Sequence, residues 1–366
     1  MHFHRILALL PLWLVSLTSP LLGAETLREA AGDRLLIGCA VATRDLADPK
    51  LTALVTQQFN CLTPEFEFMP EKLVDDARKF TFSTGDRVVA FAETQHLPVF
   101  GHMLVWHFVT RKWFFASPDG KPLPREQALT NLKTYIEGVV GHYKGRIKAW
   151  DVVNEGLSDQ DSEFLKDTPA LRAIGADYIE KAFEFAHAAD PQAELYYNDY
   201  NIEQPGKLAK TIKLVRSLQA KGVRLDAVGI QGHWLINWPP TEMIEKGIDA
   251  LAATGVKVLI TELDVDLLPR DGSGADMAQA EKGANPYPQA LPPEQQEKLA
   301  KRYGEIVAAL VRHAAVTMIG FWGTHDGRSW LNDYPVKGRT NHPLLFDRLY
   351  QPKPAFKAVI KALEAR

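Results

Sequence analysis

The sequence predicts an α/β fold, and three observations on its 366 residues support this prediction. Short apolar runs rich in β-branched residues alternate with longer segments whose apolar residues recur at helical spacing. The runs end in polar residues, at the position where parallel α/β folds place their binding groups. No glycine-rich phosphate loop follows the first run, which contains Gly38-Cys39-Ala40. These observations favour a single-domain (β/α)8 TIM barrel, with an open doubly wound sheet as the alternative.

Eight runs have the length and composition of buried parallel strands. In chain order these predicted strands are residues 35–41, 58–63, 98–105, 147–154, 194–198, 227–231, 256–262 and 316–322. Seven further segments have helical periodicity, and several start at Pro, which is favoured in the first turn of a helix. These predicted helices are residues 84–96, 124–143, 171–189, 205–221, 241–254, 293–313 and 354–365. The segment 267–293 is rich in Pro, Gly, Ala and Asp and predicts a long loop after the seventh strand.

The N-terminus predicts an export signal. A weakly cationic start precedes the apolar run 6–17, and Gly23-Ala24 offers small residues for cleavage. The apolar run is too short and too broken for a good membrane span. We therefore assign residues 1–24 to a signal peptide and residues 25–366 to the barrel domain. The expected location is secreted or periplasmic, with no membrane span after signal removal.

Charge and cysteine content narrow the function classes. The net charge of −3 comes without a basic patch, which argues against nucleic acid as a partner. Cys39 and Cys61 are too few for a disulfide-stabilised scaffold. They are either two buried thiols or, in an exported protein, a disulfide between early strands. We expect a monomer.

Two of the predicted strands end in glutamate. Strand 147–154 ends at Asn154 and is followed by Glu155, and strand 256–262 ends at Glu262. The carboxyl ends of barrel strands meet at one rim, so both carboxyl groups are expected to face a common site. Glycoside cleavage needs two carboxyl groups, one protonated and one ionised. The alternative is that each glutamate ends its strand and contacts only water.

Other strand ends add amide, imidazole and indole side chains. Asn154 is expected to bind a sugar hydroxyl and His233 to orient Glu262. Trp322 and Trp330 offer flat apolar surfaces on which sugar rings stack.

A zinc site is the alternative use of these histidines. His102 and His107 lie five residues apart on one strand and its exit, so they should not converge on one ion. No His-Glu-x-x-His motif occurs. We therefore predict no metal and no other cofactor.

Five motifs, in this order along the chain, resemble the family 10 glycoside hydrolases, the endo-β-1,4-xylanases. They are GHMLVWH at 101–107, WDVVNE at 150–155, QGH at 231–233, TELD at 261–264 and FWG at 321–323, the last followed by Asp326, Ser329 and Trp330. The resemblance covers about residues 35–362. It implies a (β/α)8 barrel that cleaves β-glycans with retention of anomeric configuration.

The resemblance also implies roles for individual residues. Glu155 would be the acid/base and Glu262 the nucleophile. The substrate-binding residues would be Glu65, His102, Trp106, Asn154, Gln231, His233, Trp322 and Trp330. Asp264 would support His233, and His107, Asn198 and Tyr200 complete the supporting set.

Three positions depart from the family pattern. Where the family has Thr-Pro-Glu-Asn-x-Met-Lys, this sequence has Phe66 for the Asn and Met69 for the Lys. Val109 stands where the family has Gln after Trp-His-Ser. In the family, the Asn, Lys and Gln at these positions contact sugar on the glycone side. The departures in this sequence therefore predict a less polar glycone site.

The predicted function is therefore a retaining endo-β-1,4-xylanase with a divergent −2 site, acting on a polysaccharide or oligosaccharide. Two alternatives stay open at this point. The first is a retaining β-glycosidase acting on a different or decorated β-glycan or a short oligosaccharide. The second is an inactive carbohydrate-binding protein.

Overall fold

The structure is a computed structural model, and it describes residues 24–268 and 285–365. Within these described ranges, nine parallel strands form one sheet. They are β1 (Leu36–Val41), β2 (Cys61–Pro64), β3 (Phe100–Gly101), β4 (Ala149–Asn154), β5 (Glu194–Asp199), β6 (Ala227–Ile230), β7 (His233–Leu235), β8 (Lys257–Asp266) and β9 (Val316–Phe321). The signal-peptide prediction for residues 1–24 lies, except for Ala24, outside the described residues, as does most of the predicted loop 267–293.

The strands curl into a barrel. The sheet order is β2-β1-β9-β8-β6-β5-β4-β3, and a parallel bridge between Leu62 and Val99 joins the two ends. β7 lies off this path and pairs only with the extended C-terminal half of β8. β6 and β7 are therefore two halves of one interrupted barrel strand, and the predicted (β/α)8 barrel is confirmed.

Helices cover the outside of the barrel. They are α1 (Leu27–Ala31), α2 (Pro49–Gln58), α3 (Pro70–Leu73), α4 (Ser83–Thr94), α5 (Arg125–His142), α6 (Pro169–Ile174), α7 (Tyr178–Ala189), α8 (Pro205–Ala220), α9 (Thr241–Ala252), α10 (Pro293–Val311) and α11 (Pro354–Glu364). Within the described ranges, no helix is both long enough and apolar enough to cross a membrane.

The floor of the barrel is apolar. Each of the eight barrel strands contributes one side chain to a compact interior layer, which consists of Leu36, Cys61, Phe100, Ala149, Tyr196, Ala227, Leu259 and Met318. Polar groups are buried nearer the carboxyl ends of the strands, where Asp151, Asn198 and Thr261 lie. The filled floor makes the barrel a packed core, and the buried polar groups Asp151, Asn198 and Thr261 lie on its rim side.

The structure corrects several predicted boundaries. The third strand, predicted over 98–105, is continuous only at Phe100–Gly101, because the chain leaves the ladder where His102 turns inward to Asp151, and single bridges at Val99 and Val105 flank it. The predicted helix 171–189 is two helices, because Gly175 at φ +106° ends α6. Helix α2 was not predicted, although Asp48 caps it and Pro49 occupies its first turn.

The two cysteines are both buried and free. Cys39 lies on β1 and Cys61 on β2, where burial raises the pKa of both thiols. Of the two alternatives for this pair, the structure shows buried thiols.

Candidate active site

Three side-chain amides join the two glutamates across the barrel rim. Gln231 Nε2 lies 3.2 Å from Glu155 Oε1, and Asn198 Nδ2 lies 2.7 Å from Glu262 Oε1. Both amide nitrogens also lie 3.2 Å from Asn154 Oδ1, so Asn154 accepts hydrogen bonds from both. The predicted meeting of strand ends therefore takes place, and all five side chains are buried.

The backbone at Glu155 adopts an unusual conformation. β4 ends at Asn154, and Glu155 has φ +56°, in the left-handed region that costs a non-glycine residue about 1–2 kcal/mol. The Glu155 N–H donates to the Asn198 carbonyl at 2.9 Å, which holds this turn against β5. The turn ends the strand and allows the Glu155 carboxyl group to reach Gln231 at the rim.

Burial disfavours the ionised form of Glu155. It raises the pKa of this carboxyl, and the charge of Asp199 raises it further. Lys166 opposes these effects, with Nζ 3.9 Å from Glu155 Oε2. The net result is a carboxyl group suited to hold a proton.

Glu262 has the opposite electrostatic environment. Burial alone would raise its pKa, but the hydrogen bond from His233 and the charges of His102 and His233 outweigh burial and lower it. The His233 Nε2 to Glu262 Oε2 distance is 3.1 Å. Glu262 is therefore suited to stay ionised while Glu155 is protonated.

His233 is held as a cation by two carboxylates. Burial opposes its charged form, but Asp264, 3.1 Å from His233 Nδ1, and Glu262 together raise the pKa of His233 to about 10. Trp330 Nε1 donates to the same Asp264 oxygen at 2.7 Å, and the Trp330 ring lies 4.8 Å from the imidazole. Asp264 therefore lies directly against His233, and its supporting role stays a prediction.

The interruption between β6 and β7 positions two of these side chains. Gly232 has φ +81°, a conformation that glycine adopts without penalty. The Gln231 carbonyl still accepts from the Glu262 N–H at 2.7 Å, while His233 resumes pairing opposite Asp264. The break lets Gln231 reach Glu155 while His233 reaches Glu262.

His102 and Trp322 complete the surroundings of Glu262. His102 Nδ1 is 3.0 Å from Asp151 Oδ2, and this partner raises the pKa of His102 against the lowering effect of burial. Trp322 packs edge-on against His102 at 5.1 Å and against His233 at 6.3 Å. Glu65 is close enough to feel the His102 charge, and burial raises the pKa of Glu65 to about 7.

Trp106 and His107 lie on the Glu155 side of the rim. Both line a cavity of about 310 Å³ together with Asn154 and Glu155. Burial, followed by the charge of Lys166, lowers the pKa of His107 to about 4, so its imidazole is neutral near pH 7. His107 makes ring contacts with Trp106 and Phe108, which places it beside the site as a packing partner.

The three divergent residues do not all line one cavity. Phe66 is half-buried and lines a second cavity of about 490 Å³, together with Glu65 and Trp330. Met69 and Val109 are also half-buried, but they do not line this cavity. Phe66 instead packs under the guanidinium of Arg44, whose Cζ lies 5.3 Å from the ring centre.

Sequence reasoning missed the cationic network next to Glu155. Lys166 Nζ lies 3.2 Å from the Tyr200 hydroxyl and also near Asp159. Lys207 is buried and bridges Asp159 at 2.8 Å and Asp199 at 3.0 Å. Tyr200 therefore contacts Lys166 and Asp159, and its supporting role stays a prediction. Lys166 lies in a loop without a motif, so no sequence pattern identified it.

His102 and His107, which were weighed as metal ligands, do not approach a common point. His102 contacts Asp151, and His107 contacts aromatic rings on the other side of the rim. Among the residues that the structure describes, no group of three or more His, Cys, Asp or Glu side chains is arranged to hold a metal ion.

A (β/α)8 barrel whose rim holds one carboxyl of raised pKa and one of lowered pKa, joined by amides, belongs to the class of two-carboxylate glycosidases. The family model described as glycosyl hydrolase family 10 matches residues 26–362, and the chain belongs to this family. The chain is 40% identical to endo-1,4-beta-xylanase A of Xylanibacter ruminicola, over 98% of this chain and 97% of the relative. It is 39% identical to the beta-1,4-xylanase of Dictyoglomus thermophilum, over 92% and 90% of the two chains.

Solved structures give the same relationship. A GH10 endoxylanase retrieved from a sugarcane soil metagenome superposes with a TM-score of 0.86 at 38% identity, covering 92% of this chain and 99% of the other. Xylanase XynB from Paenibacillus barcinonensis, complexed with a conduramine derivative, superposes with a TM-score of 0.84 at 36% identity, covering 93% and 99%.

Proposed function

We propose that this protein is a retaining endo-β-1,4-xylanase that cleaves xylan or xylan-derived oligosaccharides. The observation that carries the proposal is the opposite electrostatic setting of Glu155 and Glu262 across one amide-lined cleft. Substrate choice is supported by relatives named as xylanases at 39–40% identity over at least 90% of each chain.

In the first step, Glu155 donates its proton to the glycosidic oxygen as the bond to the anomeric carbon breaks. Glu262 attacks that carbon from the opposite face and forms a covalent glycosyl-enzyme. The Asn198 amide and His233 orient Glu262, because each donates a hydrogen bond to one of the two Glu262 carboxylate oxygens. The Asn154 side chain contributes to binding the sugar hydroxyl nearest the reacting carbon.

In the second step, the ionised Glu155 takes a proton from water, which attacks the anomeric carbon and releases Glu262. Two displacements restore the original anomeric configuration. Lys166 supports this step because its positive charge favours the ionised form of Glu155. Trp322 and Trp330 provide apolar surface for the sugar rings.

Paired substitutions test the role assignment. Glu155→Ala should reduce hydrolysis of xylan, whose leaving alcohol needs a proton, by several orders of magnitude. It should spare the first step on aryl xylosides with acidic phenols, since these leave unaided. Glu262→Ala should abolish both reactions because no covalent intermediate forms.

The readouts are reducing-sugar release, phenolate burst amplitude and the anomer first detected by NMR. Equal losses on both substrate types in the two variants, or an inverted first product, would contradict the assignment. Absence of turnover on every β-glycan, with xylo-oligosaccharide binding retained, would favour an inactive carbohydrate-binding protein.

We also propose that residues 1–24 export the protein and that it acts as a monomer in the secreted or periplasmic fraction. The support is the sequence of the apolar run and the small residues after it. N-terminal sequencing of the exported protein and light scattering of the purified protein test the two parts. An uncleaved N-terminus in the cytoplasm, or a stable dimer mass, would contradict them.

A further inference from the structure

The cavity that contains Phe66 is rich in arginine. Among its lining residues are four guanidinium groups, from Arg44, Arg328, Arg339 and Arg348. The carboxylates in the same lining are Glu65 and Asp333. At about 490 Å³ the cavity lies within the range of small-molecule sites, roughly 300–1,000 Å³. We name it the arginine cavity.

The arginine cavity adjoins the glycone side of the proposed cleavage site. Trp330 lines it and also donates to Asp264, which holds His233 against Glu262. Glu155 lies at the other cavity, beside Trp106. Because the acid must face the leaving group, the part of the glycan that stays with Glu262 extends towards the arginine cavity.

Three of the four arginines, Arg44, Arg328 and Arg348, have contacts that leave donor capacity towards the cavity. Arg328 forms an ion pair with the buried Asp45, and Arg348 donates to Asn332 and to a backbone carbonyl. Arg348 Nε is buried without a hydrogen-bond partner, although the residue is half-buried overall. Arg44 is exposed and stacks on Phe66.

The pKa shifts of two lining residues, Arg328 and Glu65, are compatible with an anionic ligand in the cavity. Burial lowers the pKa of Arg328, and the neighbouring Arg44 lowers it further, so a negative charge here would relieve a like-charge contact. Burial raises the pKa of Glu65 to about 7, which reduces its repulsion of an incoming carboxylate near neutral pH. Asp333 accepts a hydrogen bond from the Gly338 N–H, which satisfies part of its acceptor capacity.

The ligand should combine a sugar ring with a carboxylate. Guanidinium groups bind carboxylates through paired, charge-assisted hydrogen bonds. Phe66 offers an aromatic ring in the same cavity, which suits the apolar face of a pyranose. Phe66, which stands where the family has Asn, therefore lies beside charged side chains and does not simply close the glycone site.

Resting on the proposed function, we propose that the arginine cavity binds the carboxylate of a uronic-acid branch on the glycone side of a β-glycan. The enzyme then prefers substrates that carry an acidic branch over neutral ones. Free phosphate or another small anion shares the same charge chemistry and is distinguished by the experiment.

The test compares two matched probes. One is a xylo-oligosaccharide with a glucuronic acid branch near its non-reducing end, and the other is the same molecule with the carboxyl reduced to an alcohol. Affinities are measured by calorimetry on the non-cleaving Glu262→Gln variant, and kcat/KM is measured on the otherwise unchanged enzyme. The expected acid-to-neutral preference is about tenfold and falls as salt is added.

Single substitutions test whether the arginine cavity causes the preference for the acidic probe. In both backgrounds, Arg44→Gln should lower the acid-to-neutral ratio about three- to tenfold, and Arg44→Lys should retain part of it. Arg216→Gln is the control, because Arg216 is exposed on α8, next to strand β5 on the far side of the barrel from β1. It should leave the ratio unchanged.

A ratio at or below one, or an equal effect of Arg44→Gln and Arg216→Gln, would overturn the inference. So would inorganic phosphate that inhibits both probes equally while the ratio stays at one. The calorimetric ratio is read without turnover. If neither probe is cleaved but the acidic one still binds more tightly, the proposed function fails and the cavity assignment stands.

Discussion

At the scale of single residues, the site separates the pKa values of two carboxyl groups with different neighbours. Glu262 is kept ionised by His233, and His233 is kept cationic by Asp264. Burial and the charge of Asp199 raise the pKa of Glu155, against the lowering effect of Lys166. The two limbs of a bell-shaped pH profile should therefore respond to different substitutions.

Lys166→Met should move the alkaline limb of kcat/KM to higher pH. Lys166 lowers the pKa of Glu155, so its removal raises that pKa and keeps the acid protonated to higher pH. Lys166→Arg, which keeps the charge, is the matched control and should leave the limb near its original position. A limb that shifts downward or stays fixed in the Met variant would contradict this role.

Asp264→Asn should move the acidic limb of kcat/KM to higher pH. Without the Asp264 charge the pKa of His233 falls, and a neutral His233 no longer lowers the pKa of Glu262. Glu262 then protonates at a higher pH than in the unchanged enzyme. The alkaline limb reports Glu155 and should not move. A profile in which both limbs shift together would show a general distortion of the site instead.

At the scale of elements, the strands that position the site residues can pair only where neighbouring side chains do not clash. β3 contains Gly101, and a Cβ atom at this position would lie 2.3 Å from the Trp150 ring of β4. Trp150 is fully buried, so the ring has no free space into which it could move. The pairing of β3 with β4, and with it the approach of His102 to Asp151, depends on this glycine.

Gly101→Ala should reduce the free energy of unfolding by about 1–3 kcal/mol through overpacking. Gly141→Ala is the matched control, since Gly141 is an exposed residue of α5 with no neighbouring atom within 4 Å of an added Cβ. That change should be neutral or stabilise the protein by up to about 1 kcal/mol. Urea unfolding followed by circular dichroism measures both. Equal effects would refute the packing argument.

At the scale of the whole molecule, the last helix supports the first. The Ala24 N–H donates to the Glu364 carboxylate, and the buried face of α11 belongs to the same core as Leu27 of α1. Phe356, Val359, Ile360 and Leu363 of α11 are all buried. A barrel is closed sideways by hydrogen bonds, but its outer helices supply much of the apolar burial.

Truncation after Lys353 should therefore abolish cooperative thermal unfolding. Losing four buried apolar side chains, at about 1.5–3 kcal/mol each, approaches the total stability of about 5–15 kcal/mol of a typical domain. Truncation after Leu363 keeps all four and is the control, with a melting temperature expected within a few degrees of the full chain. A cooperative transition in the shorter protein would show that α11 is dispensable.

The sequence by itself determined the order of strands and helices and the residue types at the rim. Both follow from local causes, since burial on two faces selects apolar runs and a parallel strand end leaves its last side chains polar. Glu155, Glu262, Asn154, Asn198 and Gln231 were found because each ends or directly follows a predicted run, 147–154, 194–198, 227–231 or 256–262. The break at Gly175 and the two-residue length of β3 were missed, because a single glycine and a side chain turning inward leave the apolar pattern almost unchanged.

Only the tertiary structure decided which groups share a charge environment. Lys166 lies in a loop and Asp199 on another strand, yet both act on Glu155 through distances that no sequence spacing encodes. The arginine cavity likewise combines Arg44 after β1 with three arginines that follow β9, nearly three hundred residues later. Electrostatic interactions depend on separation in space and on burial, and both quantities exist only once the barrel has closed.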